Sequence, residues 1–422
     1  MNESSRQDAG LSLSRRGALA ALGGAALAGC GGSGQPTSPA APLPQLKADA
    51  SRPRDDIRIC LSDQPVESLR LTLNAEADVV DRENRRRIVT LSTGGLELRR
   101  AGDGWRTGNQ HPWMAKSIEI RGGDAASIWV NDRLYRGRVR LIPADGARFS
   151  AVNVTTLEAY LPGVVDAEMP ASFPLAARLA QAVVARTFAM RQQRLAPASA
   201  EWDLYASPGR SQNYLGVQYR DANGRVFAGE SESSRRAALE TRGLVCLRDG
   251  EPFRAYYSAC CGGRTVEGAA VFPDAATLSS VECGHCQACP RYEWTSRIPR
   301  ADVAAAFRTL SRASRDFQLR EAVVTGIGDR TRMPRFVAKD ARGDTLTAPT
   351  SDLRSLLGAQ RLLSCWFTVR RDGETLVFTG SGHGHGVGLC QWGARGLALG
   401  GADFRVILGH YYPGATIAAL PA

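Results

Sequence analysis

Glu168 stands at a forced corner of the chain. The run Asp166-Ala167-Glu168-Met169-Pro170 sets it between two apolar residues and just ahead of a proline, which cannot continue a helical hydrogen-bond ladder. An apolar setting favours a protonated carboxyl, so a glutamate held there is suited to general acid work such as protonating a glycosidic oxygen. Glycosidases with two carboxylates hold them about 5 Å apart when they retain configuration and farther apart when they invert. Asp166, two residues away on a helix, projects from a different face, and Asp203 can approach only through the fold. The chain therefore reads as carrying one acid/base glutamate, the alternative being an ordinary helix-end cap or ion pair. On the helix that follows, Gln181 and Arg186 are polar among apolar neighbours. They are candidate substrate contacts, and a buried ion pair from Arg186 to Glu168 or Asp166 is the alternative for that residue.

A second chemical signal is the cysteine cluster. Cys260 and Cys261 lie in SACCGG, and Cys283, His285, Cys286 and Cys289 lie in CGHCQACP. Thiols at two-residue intervals, with a pair some way upstream, have the spacing of a tetrahedral structural zinc site. Disulfides are the alternative for an exported chain, and an iron–sulfur centre is a third reading that lacks its proper spacing. Cys60, Cys246 and Cys365 sit in strand-like apolar runs and read as core residues. A third signal is GHGHGVGLCQWGARG, residues 382–396. His383 and His385 are spaced like metal ligands on one face of a strand, with no acidic third ligand nearby. Glycines there let the backbone approach a flat ligand, for which Trp392 and His385 offer a stacking face and a hydrogen bond.

Elements able to position these residues can be read from periodicity. From residue 57 to about 153, short alternating runs (IRICLS, LRLTL, RRIVTLS, LELRR, SIEIRG, SIWVND, VRLIPA, FSAVNV) separated by Gly-Asp and Asn-Asp breaks predict a β-rich module. A helix capped by Thr155 or Thr156 ends near Met169-Pro170, and a second starts with Ser172 as cap and Pro174 in its first turn. Further helices are expected over 231–241, 352–357 and 404–410, with strands between. The expected fold class is α+β, with a β-rich module over 56–150 and a mixed helical and β domain over 151–422.

The chain has 422 residues, 43% of them hydrophobic, and a formal net charge of +11. Such a chain can bury a substantial core, and its scattered basic residues, with no recognition motif, argue against nucleic acid as a partner. Residues 1–30 read as a leader: Arg15 and Arg16 precede a short apolar run, and Leu27-Ala28-Gly29-Cys30 resembles a bacterial lipobox, in which Cys30 is lipidated. The paired arginines also resemble a twin-arginine signal. Residues 31–55, rich in Gly, Ser and Pro, read as a flexible tether. Export to the cell envelope and a lipid anchor in the membrane follow as expectations.

Three stretches, residues 157–190 (LEAYLPGVVDAEMPASFPLAARLAQAVVARTFAM), 254–267 (RAYYSACCGGRTVE) and 382–417, resemble in order the stage II sporulation protein D family, also called SpoIID/LytB or amidase-enhancer proteins. The resemblance spans residues 140–417. It implies a cell-wall protein: either a lytic transglycosylase cutting peptidoglycan strands that lack stem peptides, or a non-catalytic glycan-binding stimulator of a separate amidase. It implies the catalytic role for Glu168, the glutamate of the family's A-E-M-P motif. Arg186 would then be placed to meet the lactyl carboxylate of N-acetylmuramic acid, with Ser211, Gln212 and Tyr214 on a loop of polar cleft residues. The motif G-H-G-V-G-x-x-Q-W-G-A matches from Gly384 to Ala394, which implies one wall of a glycan cleft containing His385, Gln391 and Trp392. Relatives mostly have serine where Cys390 stands, which speaks against a nucleophilic Cys390. Some bind zinc with cysteines and a histidine in this region, at a different spacing. A zinc hydrolase built on His383 and His385 is a third reading.

Overall fold

The computed structural model describes residues 56–108, 111–123, 127–311 and 317–420. The leader, with Cys30, and the tether fall outside the described residues. The fold is mixed α+β with a β-rich N-terminal region.

The alternating runs form two large sheets. One orders the strands Leu204–Tyr205, Asp56–Cys60, Phe149–Thr156, Arg138–Pro143, Ile118–Gly122, Ala77–Asp81 and Arg87–Leu91. The other runs from Val226–Ala228 and Gln218–Arg220 through Arg133–Arg136, Ser127–Val130, Ser68–Leu73, Gly94–Ala101 and Gly104–Thr107 to Trp113–Met114. Their inward residues, among them Ile59, Leu71, Leu98, Trp105, Ile120 and Leu141, make one core. The turns lie where the sequence breaks, with Gly102 and Asn131 both at positive φ, which these residues tolerate. Residue 150 lies inside the strand Phe149–Thr156, and the strands at 204–205, 218–220 and 226–228 complete both sheets from beyond it.

Strand Phe149–Thr156 leads directly into α1 (Leu157–Glu168), whose first turn is capped by Thr156 Oγ1 accepting from the Ala159 N–H at 3.2 Å. The long α2 (Leu175–Leu195) begins at Pro174, with no side-chain cap. This corrects the expected Ser172 cap: the Phe173 N–H bonds to the Pro170 carbonyl, so the chain is still turning at 172, and proline fixes the entry to the helix. Between residues 177 and 189 α2 is buried on nearly every side, and Arg178, Gln181, Arg186 and Thr187 are buried along with its apolar and small residues. Next comes α3 (Glu232–Glu240), capped by Ser231 and packed against both earlier helices.

Residues 293–381 form an insert with its own core of Ile298, Phe307, Phe336, Phe367 and Phe378. It holds α4 (Arg300–Ser311), α5 (Thr350–Leu357) and two three-stranded sheets. Its first and last strands pair antiparallel, Glu293 opposite Ser381, and the Gly382 N–H bonds to the Tyr292 carbonyl at 2.8 Å. The insert therefore closes at a neck that sets residues 283–289 beside residues 382–390. After it come α6 (Gln391–Leu399) and α7 (Phe404–Tyr411). Among the described residues, no helix is long and apolar enough to cross a membrane.

Candidate functional site

Glu168 is the last residue of α1, and the chain turns to extended backbone at Met169. Arg178, projecting from α2, holds both sides of it. One guanidinium nitrogen donates to the Met169 carbonyl at 2.9 Å, and the other reaches Asp166 Oδ1 and Ser231 Oγ. Asp166 also accepts from the Ser231 N–H and, at 2.8 Å, from the Ser234 hydroxyl. With this ion pair almost wholly buried, residues 166 and 169 are fixed, and Glu168 between them has little freedom.

The Glu168 carboxylate itself accepts the Asn213 N–H at 2.8 Å. That donor lies on the loop at 205–216, which presses on α1 where Gly163 leaves room: a Cβ there would sit 2.9 Å from the Tyr214 ring and 3.0 Å from the Gly216 carbonyl oxygen. Gln212, buried behind the loop, joins two tyrosines. It accepts from the Tyr160 hydroxyl at 3.3 Å and donates to the Tyr257 hydroxyl at 3.1 Å. Burial first, and then the Glu168 charge, push both phenols well above their ordinary range. Both therefore stay protonated beside the carboxylate. Neither Tyr160 nor Tyr257 was legible as a site residue in the sequence.

Three other acids are committed to arginines. Asp203 is fully buried and gripped by Arg58, Asp166 by Arg178, and Glu158 by Arg186. Arg186 has no exposed surface, and its five donors go to the Glu158 carboxylate, the Thr241 hydroxyl and the Leu244 and Ala238 carbonyls. Its ion pair is with Glu158, neither of the two partners expected. Tyr214 is a core residue stacked edge-on against Tyr160 at 4.7 Å with its hydroxyl on Asn153. Ser211 accepts the Tyr205 N–H at 3.1 Å.

The distant motif does reach this corner. Phe173, in the turn after Glu168, packs edge-on against Trp392 at 5.1 Å, and the Arg395 guanidinium covers both rings. Gln391 and Gln181, both buried, bond at 3.3 Å and tie α6 to α2 from inside. His385 stands against Phe272 at 5.0 Å and Tyr256 at 5.9 Å, and its Nδ1 accepts the Val387 N–H at 3.1 Å. Burial is the main cause that pulls its pKa down to about 4.

The cysteines converge on a different ligand set from the one expected. Ligand atoms of Cys261, Cys283, Cys286 and Cys390 all lie within 4.8 Å of one another, all four residues being buried, and such a set can hold a metal ion. Cys261 and Cys286 Sγ are 3.7 Å apart. Cys390 caps α6, its sulfur accepting the Gly393 and Cys261 N–H groups at 3.3 Å each. Cys260 and Cys289 fall outside this set. His285 is exposed and turned towards His410, at 6.1 Å between ring centroids. Cys390 is distant in sequence from the other thiols, and the neck of the insert delivers it. The sole signal for it in the sequence was its departure from the serine that relatives carry.

Residues 145–247 match the family model described as stage II sporulation protein, SpoIID. An uncharacterized protein of Brachyspira hyodysenteriae is 30% identical over 284 residues, covering 67% of this chain and 72% of its own. Stage II sporulation protein D of Bacillus subtilis is 28% identical over 293 residues, 67% of this chain and 80% of the relative. The amidase enhancer of Bacillus subtilis is 25% identical over 303 residues, 61% of this chain and 40% of that longer relative.

Two outcomes are expected. Arg178→Ala leaves the Asp166 carboxylate buried without its cation and should lower the unfolding free energy by about 3–5 kcal/mol in urea titration. For His385, the unfolded chain binds a proton below pH 6.5 that the folded chain takes up only near pH 4, so stability is lost as pH falls through that window. His385→Gln should flatten this decline in melts recorded across the same window.

Proposed function

Because the chain belongs to the SpoIID/LytB family of stage II sporulation protein D and the amidase enhancer, we propose that it remodels peptidoglycan as a lytic transglycosylase, with Glu168 as its single acid and base. The observation that carries this reading is the placement of Glu168: held on both sides by Arg178, bonded by the Asn213 N–H, and set beside two protonated tyrosines. Asp166 and Asp203, the two acids weighed as a second carboxylate, are each paired with an arginine, which favours chemistry needing one carboxyl group.

In that chemistry the protonated Glu168 gives its proton to the glycosidic oxygen as the bond to C1 of muramic acid breaks. The carboxylate left behind then takes the proton of the C6 hydroxyl as that oxygen closes on C1. Glu168 returns to its starting state, the product carries a 1,6-anhydro ring, and no water is consumed. Strands lacking stem peptides are the proposed substrate. Trp392, half-buried beside Phe173, offers the aromatic face on which a sugar ring can stack. His385 is neutral at the pH of the envelope and serves as a packed, hydrogen-bonded wall. Gln181, Gln391, Tyr214 and Arg186 support the cleft from behind, on account of their burial. Ser211 and Gln212 shape the loop that carries the Asn213 N–H.

We further propose that Cys261, Cys283, Cys286 and Cys390 hold a structural zinc ion. A tetrahedral site with Zn–S bonds of about 2.3 Å spaces its sulfurs about 3.8 Å apart, and the Cys261–Cys286 separation is 3.7 Å. N–H donors on Cys390 suit a thiolate. Zinc here joins the cysteine segments to α6 and takes no part in the reaction. In this reading the apolar leader directs export to the cell envelope and Cys30 is the site of a lipid anchor.

A second reading rests on the name of one relative, the amidase enhancer: the same cleft binds glycan and stimulates an amidase without cutting. Incubation of the purified protein with intact and peptide-stripped glycan strands, followed by mass analysis, separates the two. Transglycosylase action yields anhydro-muramic ends, and Glu168→Gln, with its fold unchanged by circular dichroism, should reduce their formation about 100-fold or more. Glycan binding with no cleavage by the wild type would favour the second reading.

A further inference from the structure

We propose that the cysteine cluster is a two-metal site, in which six thiolates hold two zinc ions and Cys286 and Cys390 are shared between them. This rests on the four-thiolate zinc reading and extends it to two thiols that reading leaves over. Cys260 and Cys289 are buried, with 1% and 6% of their surface exposed, and they belong to the same buried core cluster as the four.

The sulfur contacts have a definite connectivity. Cys261 lies within reach of Cys283, Cys286 and Cys390, whereas Cys260 lies within reach of Cys289, Cys286 and Cys390. Cys286 and Cys390 lie within 4.8 Å of Cys261, Cys283 and one another, and Cys260 Sγ stands 3.9 Å from the Cys286 carbonyl oxygen and within reach of both thiols. Two thiols thus belong to both neighbourhoods, Cys261 with Cys283 on one side and Cys260 with Cys289 on the other. Two tetrahedral ions, each with two terminal thiolates and sharing two bridging ones, would divide six thiols in this way.

Local backbone explains the division. Cys260 lies in an extended segment paired with His383, so the consecutive Cys260 and Cys261 project to opposite sides and serve different ions. In the run Cys283, Cys286, Cys289 the middle thiol is central, and the Cys289 N–H bonds to the Cys286 carbonyl at 3.0 Å, curling the last thiol back to Cys260. Two dications with six thiolates carry a net charge of −2. The second half of the cluster has its own offset: the Arg291 N–H donates to Cys289 Sγ at 3.4 Å, and the Arg291 charge lies close by. The soft, all-sulfur tetrahedral donor set selects zinc over harder divalent ions.

The test is metal stoichiometry on the full exported chain, produced in zinc-supplemented medium and purified without chelator or added thiol. Native mass spectrometry and elemental analysis should find two zinc ions per chain in the wild type and one in Cys289→Ser. If Cys289→Ser does not fold, cadmium-113 NMR of the metal-exchanged wild type replaces it and should show two thiolate resonances. One zinc in the wild type, with Cys260 and Cys289 joined as a disulfide, would overturn the two-metal proposal and leave the four-thiolate site standing. A wild type without bound metal would overturn both.

Discussion

The geometry of the candidate site depends on one buried arginine. Arg178 lies on a helix enclosed by apolar and small residues, where an unpartnered guanidinium would be costly, and its donors go to Asp166 and to the Met169 carbonyl. Those partners flank Glu168 at the end of α1. Electrostatic necessity in the interior is thereby turned into placement of Glu168: the two terminal guanidinium nitrogens find their partners in a corner of this shape. Ser231 and Ser234 complete the shell of Asp166 from the start of α3, so three helices meet at the same carboxylate.

A second constraint is topological. The GHGHG motif is separated from the cysteine pair by an entire inserted α+β unit, and only the pairing of that unit's first and last strands brings the two together. Cys390 then caps α6 beside thiols from two other segments, while Gln391 and Trp392, the next two residues, face α2 and Phe173. A metal held by these thiols would fix the helix that carries the aromatic wall. It would do so without touching substrate.

Much of the fold was legible because its signals are local. Alternation at 57–62 or 139–144 marks strands irrespective of what they pack against, and Thr156, Ser231 and the Met169-Pro170 break mark helix ends by chemistry confined to one turn. The helices α4 and α6 were missed. In α6, Gly393 and Gly396 lower helix propensity, yet both are needed, because a Cβ at Gly393 would meet Cys283 Sγ at 2.5 Å and one at Gly396 would meet the His285 carbonyl at 2.1 Å. Close packing outweighed propensity there. In the site, Glu168 was readable from its corner, but the partners of Arg186 and Gln181 were not. A polar residue on an apolar helix signals only that some partner exists, and Glu158 and Gln391 are supplied by the fold. Cys390 belongs to the thiol cluster for the same reason.

In the proposed reaction a single glutamate carries both proton transfers, and the C6 hydroxyl, not water, attacks C1. Its most direct test is cleavage of peptide-stripped glycan strands in water enriched in oxygen-18, with the mass of the new ends read out. Anhydro ends that contain no heavy oxygen are expected. New reducing ends carrying oxygen-18 would contradict it, because they would show that water attacks C1 and that a second base must activate it.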